Sequence, residues 1–98
     1  MIKVIIERQV KKGEDISLLL LELRTAAMRH PGYVSGETLL STEDSFNIVT
    51  VGTWQTLEDW KAWEASEVRA KLYQRAEPLL ARKPKVKTYG IMSTEKRN

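Results

Sequence analysis

The 98-residue sequence predicts an α+β domain of order βαββαβ, a ferredoxin-like four-stranded antiparallel sheet with its helices on one face. Three observations predict it. Four short runs rich in β-branched residues read as strands. Two longer stretches carry apolar residues at helical spacing, one after the first strand and one after the third. Proline, glycine and capping residues punctuate the chain between them.

Residues 1–10 form the first strand, with Ile2, Val4 and Ile6 sharing one face. Lys11, Lys12 and Gly13 turn the chain. A helix follows over about residues 14–29, with Glu14 and Asp15 in its first turn, where acidic groups suit the helix dipole. Ile16, Leu19, Leu20, Leu23 and Ala27 make its apolar stripe, widened by Leu18, Leu21 and Met28. Pro31 stops the helix and Gly32 turns the chain.

Residues 33–40 and 46–54 read as the second and third strands, joined by a polar turn over 41–45. In the third strand Phe46, Ile48, Thr50, Gly52 and Trp54 face one way, and Asn47, Val49, Val51 and Thr53 the other. Thr56 and Asp59 form a capping-box-like helix start. Leu57 and Trp60 line one face of that helix, with Trp63 beside them, and Ser66 caps a fresh start in which Val68, Leu72 and Ala76 carry a stripe. Pro78 breaks or restarts the helix. Residues 85–92 form the fourth strand, and 93–98 read as a frayed tail of one 98-residue domain.

The composition is 42% hydrophobic and 30% charged, as in globular domains. The absence of cysteine excludes disulfides, thiolate metal sites and a cysteine nucleophile. The first residues lack the order of a signal peptide and no run is long enough to span a membrane, so a cytoplasmic, membrane-free protein is expected. The net charge of +3 gathers late, in Arg82, Lys83, Lys85, Lys87, Lys96 and Arg97, without interleaved aromatics. This reads as solvated surface and not as a nucleic-acid interface.

Helices cover only one side of such a sheet, and the third strand is apolar or small on both. The other side is expected to offer Val, Ile, Phe or Trp, and a second copy packed sheet to sheet would bury them, which predicts a homodimer.

Gly32 and Tyr33, the segment FNIVTVGTWQTLEDWKAWEASEVR and a closing strand with Tyr89 resemble the antibiotic biosynthesis monooxygenase (ABM) domain over nearly the whole chain. The resemblance implies a dimeric α/β barrel made by two sheets. It also implies one of three activities: cofactor-free oxidation of phenols, quinols or polyketides by dioxygen; haem degradation; or ligand binding without catalysis, as in an accessory or stress-related dimer. The first is taken as the expectation, with a small aromatic ligand and no cofactor. The resemblance matches Trp63 to the tryptophan of haem-degrading members and puts Tyr73 where those carry the iron-ligating histidine, with Glu7 or a neighbour in place of an asparagine. The only histidine, His30, ends the first helix and reads as a surface group. Polyketide-oxidising members carry an asparagine where this chain has Asp59.

Cofactor-free oxygenation needs a dry site, a base and hydrogen-bond donors for a substrate anion. The candidate catalytic residues are Asp59 as base, Trp63 as stacking wall and indole donor, and Tyr73 as donor to a substrate oxygen. Asn47 and Arg69 are the candidate substrate-binding residues, stabilising the anion.

Overall fold

The computed structural model describes residues 1–97. Strand β1 (Ile2–Gln9) lies inside the sheet, between β3 (Asn47–Trp54) and β4 (Lys85–Gly90), and β2 (Tyr33–Leu40) pairs with the outer side of β3. Every pairing is antiparallel, in the order β2-β3-β1-β4. Helices α1 (Ser17–Met28), α2 (Leu57–Glu64) and α3 (Glu67–Ala76) and a 3₁₀ turn (Glu77–Leu79) complete the predicted order.

Period-two alternation puts Ile2, Val4, Ile6 and Arg8 of β1 on the helix side, opposite Trp54, Gly52, Thr50 and Ile48 of β3. Two apolar clusters fill the layer between sheet and helices. One joins Val4, Ile6, Leu23 and Ala27 to Trp54, Trp60 and Trp63. The other joins Val10, Ile16 and Leu19 to Ala76 and Leu80, and Phe46 packs against it. Leu20 and Leu72 touch both clusters and make them one core.

Several local expectations are corrected. Helix α1 starts at Ser17, because the Asp15 carboxylate accepts from the Ser17 backbone N–H and hydroxyl and holds the preceding residues in a turn. Glu14 and Asp15 therefore precede the helix. Leu18, Leu21 and Met28 point to solvent and do not widen its buried stripe. Val68 is also exposed, and α3 packs through Leu72 and Ala76. Residues 93–97 have no regular structure, and Asn98, the last residue of the expected tail, lies outside the described residues.

The helix-free side carries Ile5, Val49, Val51 and Leu39, but also Lys3, Glu7, Lys85 and Lys87. The expectation of Phe or Trp there is corrected: Phe46 and Trp54 both turn into the core, and the aromatic on the uncovered face is Tyr89, opposite Lys3.

The turn into β2 fixes α2 against the sheet. Gly32 has φ +88°, which a side chain disfavours, and its carbonyl accepts from the Gln55 N–H at 2.8 Å. The Asp59 side chain fills the space where a Cβ on Gly32 would stand. Thr56 caps α2 by accepting from the Asp59 N–H at 3.1 Å, and Ser66 caps α3 by accepting from the Arg69 N–H at 3.3 Å.

Candidate active site

A cavity of about 70 Å³ lies between the sheet and the three helices. Gly36 and Gly52, paired across β2 and β3, add no side chains of their own to its floor, and the Tyr33 hydroxyl lies over Gly36. Trp54, Trp60 and Trp63 form the apolar wall. Trp54 and Trp63 stack with centroids 6.5 Å apart at 20°, and Trp60 meets Trp54 edge-on at 5.9 Å. Each is at most 5% exposed, so the wall is rigid core as well as lining.

The polar end is built from β1, β3 and α3. Arg8 is 4% exposed and donates from Nη1 to Thr50 Oγ1 at 3.0 Å and from Nη2 to the Tyr73 hydroxyl at 2.8 Å. Arg69 lies over the Tyr73 ring, with Cζ 3.9 Å from its centroid, and 5.7 Å from that of Trp60. Its Nη1 donates to the Glu64 carbonyl, across the joint between α2 and α3. Because the Tyr73 oxygen accepts from Arg8, its own proton remains available for a ligand oxygen. The site can therefore offer an apolar slot, a hydroxyl donor and three cations, Arg8, Arg24 and Arg69.

Three of the predicted residues meet here: Trp63, Tyr73 and Arg69 all line the cavity. Two do not. Asn47 sits on the helix-free face, where its side-chain amide donates to Glu7 and Gln9, so the sheet separates it from the cavity. Asp59 packs against Gly32 outside the lining, and as arranged it cannot take a proton from a ring beside Trp63. His30 is half-buried and not a surface group: its ring meets Trp63 at 5.7 Å and Trp54 at 6.2 Å, with Nδ1 buried and without a partner.

Arg8 was not among the candidates, although the strand pattern carries its signal. It continues the Ile2–Val4–Ile6 stripe by two residues, so a cation was due on the buried face. Gly52 gave a second signal, since glycine inside a strand often marks a close approach.

The haem reading does not fit this geometry. Tyr73, at the position of the iron ligand, has its oxygen engaged by the Arg8 Nη2 donor. Among the described residues no group of three or more His, Cys, Asp or Glu could hold a metal ion. Among them, too, no helix is long and apolar enough to cross a membrane.

Sheet order, broken helix and aromatic cavity together define a ferredoxin-like α+β domain with a small interior site. The family profile of the antibiotic biosynthesis monooxygenases matches residues 1–75. The chain belongs to that family. No curated protein shows significant similarity to the sequence. Among solved structures, a candidate antibiotic biosynthesis monooxygenase from Nitrosomonas europaea is similar at 20% identity and TM-score 0.85, covering 95% of this chain and 100% of that one. SnoaB, a cofactor-independent oxygenase from Streptomyces nogalater, is similar at 13% identity and TM-score 0.82, covering 95% of each chain. Rv0793 from Mycobacterium tuberculosis is similar at 15% identity and TM-score 0.84, covering 97% and 98%. At these identities the likeness is one of fold.

Proposed function

We propose that this protein is a cofactor-independent monooxygenase of a small phenolic or quinol-type compound and works as a homodimer. The observation that carries this reading is the Tyr73 hydroxyl, held by buried Arg8 at the end of a tryptophan-walled cavity. Family membership and the likeness to SnoaB support it.

In this reading a phenol lies against Trp63 with its oxygen toward Tyr73 and Arg8. Its proton leaves to solvent at the open mouth of the cavity. Arg8, Arg69 and the Tyr73 hydroxyl stabilise the phenolate at the polar end of a largely apolar cavity, where fixed dipoles act strongly. The phenolate passes one electron to dioxygen, and recombination forms a carbon–oxygen bond. The hydroperoxide then loses water. One phenol and one dioxygen become one quinone and one water.

A second reading, ligand binding without turnover, is favoured by one observation: Asp59, the expected base, stands outside the cavity. Dioxygen uptake over a panel of phenols and quinols, with metals chelated, separates the two. Uptake of one dioxygen per substrate, reduced at least tenfold in Tyr73→Phe, is expected. Absence of uptake across the panel overturns the oxygenase reading.

The proposed dimer uses the helix-free face, where Ile5, Val49, Val51 and Leu39 lie together. A solution mass of one chain at micromolar concentration would rule it out.

A further inference from the structure

We infer that the ligand of this cavity carries its own negative charge and is a single-ring aromatic carboxylate. The inference rests on the cavity being the functional site, as proposed above, and adds the class of molecule it takes.

The first argument is an unbalanced charge. A guanidinium stays ionised, and removing it from water is unfavourable by several kcal/mol unless an anion or a full set of acceptors replaces the solvent. Arg8 is 4% exposed, and both its partners, Thr50 and Tyr73, are neutral hydroxyls. They accept two of its five N–H donors. The ion pair among the described residues, Arg75 with Glu22, lies elsewhere on the surface. Arg69 and Arg24 also line the cavity, against one carboxylate, Glu37. Glu37 is exposed and borders the mouth from β2, in register with Val51 of the uncovered face, so it does not neutralise Arg8. The lining is therefore cationic where it is buried.

The second argument is the form of the anion. A simple phenol is neutral near pH 7, whereas an aromatic carboxylic acid, with an acidity like that of Asp or Glu, is ionised. A carboxylate offers two oxygens to the planar donors of an arginine, the geometry in which guanidinium binds most strongly. The Tyr73 hydroxyl can donate to the same group.

The third argument is size. The cavity, about 70 Å³, is about half of one that holds benzene, roughly 150 Å³. One ring, seated partly in the mouth, matches this space better than a fused polycycle. The tryptophans suit the ring face, and the lining is more apolar than polar.

The test is equilibrium binding without dioxygen, followed by tryptophan fluorescence and calorimetry. Benzoate and 4-hydroxybenzoate are compared with benzamide and 4-hydroxybenzamide, which match them in shape without the charge. Each carboxylate is expected to bind at least tenfold more tightly than its amide. That preference should vanish in Arg8→Met and return in part in Arg8→Lys. Should Arg8→Met fail to fold, the comparison of acid with amide on the unaltered protein still decides. Equal binding of acid and amide, tighter binding of the amide, or no binding of any of the four overturns the inference. Carboxylate-selective binding with no dioxygen uptake sinks the oxygenase reading alone. Turnover of neutral phenols with no preference for a carboxylate sinks this inference alone.

Discussion

The Tyr73 hydroxyl accepts the Arg8 Nη2 donor at 2.8 Å and ties α3 to the central strand across 65 residues of chain. The bond satisfies a charge that the core otherwise leaves to Thr50. Tyr73→Phe removes the acceptor and keeps the ring under Arg69. A loss of about 1.5–3 kcal/mol in urea unfolding is expected, the range for hydrogen bonds to charged groups. Arg8→Met removes the charge along with its needs and should be better tolerated. If Tyr73→Phe unfolds at the wild-type urea concentration, the guanidinium is already hydrated.

The floor of the cavity can be filled without disturbing the fold. A Cβ on Gly52 would meet Trp54 Nε1 at 3.6 Å and the Ser35 carbonyl at 3.9 Å, both ordinary contacts. Gly52→Ala should therefore keep or raise the melting temperature, since alanine loses about 0.5–1 kcal/mol less than glycine within a strand. Affinity for an aromatic ligand should fall, because the methyl group occupies part of the slot. Unchanged affinity would place the ligand elsewhere.

Gly32 is constrained twice, by its positive φ of +88° and by the Asp59 side chain. Gly32→Ala should cost more than the about 1–2 kcal/mol of the backbone conformation alone. Adding Asp59→Ala should recover the steric part and leave the backbone part. Equal stability of the single and double variants in chemical denaturation would show that α2 shifts to make room.

The Asp44 carboxyl is held below the ordinary carboxylate range, first by the Phe46 backbone N–H and then by the Gln9 side chain. A folded pKa below the unfolded one means that the unfolded chain binds more protons in that window, so stability rises with pH there. The contribution of Asp44 is complete above the unfolded value of about 4 and is lost as the pH falls through the lower folded value. The melting-temperature gap between wild type and Asp44→Asn should hold steady from pH 7 to 5 and close toward pH 2. A gap that persists at pH 2 would assign it to shape and not to charge.

The sheet was legible because Val, Ile and Thr alternate with few interruptions, and the helix breaks because Pro31, Thr56 and Ser66 are local signals with local causes. The site was legible only where it shares residues with the core. Trp63, Tyr73 and Arg69 stand near helix landmarks that spacing can place. Asp59 and Asn47 were misplaced because reach depends on tertiary arrangement: the first was turned to Gly32 by a tight corner, the second to the far side by strand parity. Arg8 needed only that parity extended past the last aliphatic residue.

The interruption between α2 and α3 has a rotational consequence. At about 100° per residue, an unbroken helix would point Arg69 roughly 180° away from Trp60, with Tyr73 on that same far side. The two-residue joint at Ala65 and Ser66 resets the angular phase, so that aromatic wall and cationic end look into one chamber. Its length, more than its composition, acts as the gear that meshes the two helices. Removing one residue there would swing one set of side chains out of the chamber while leaving both helical segments intact.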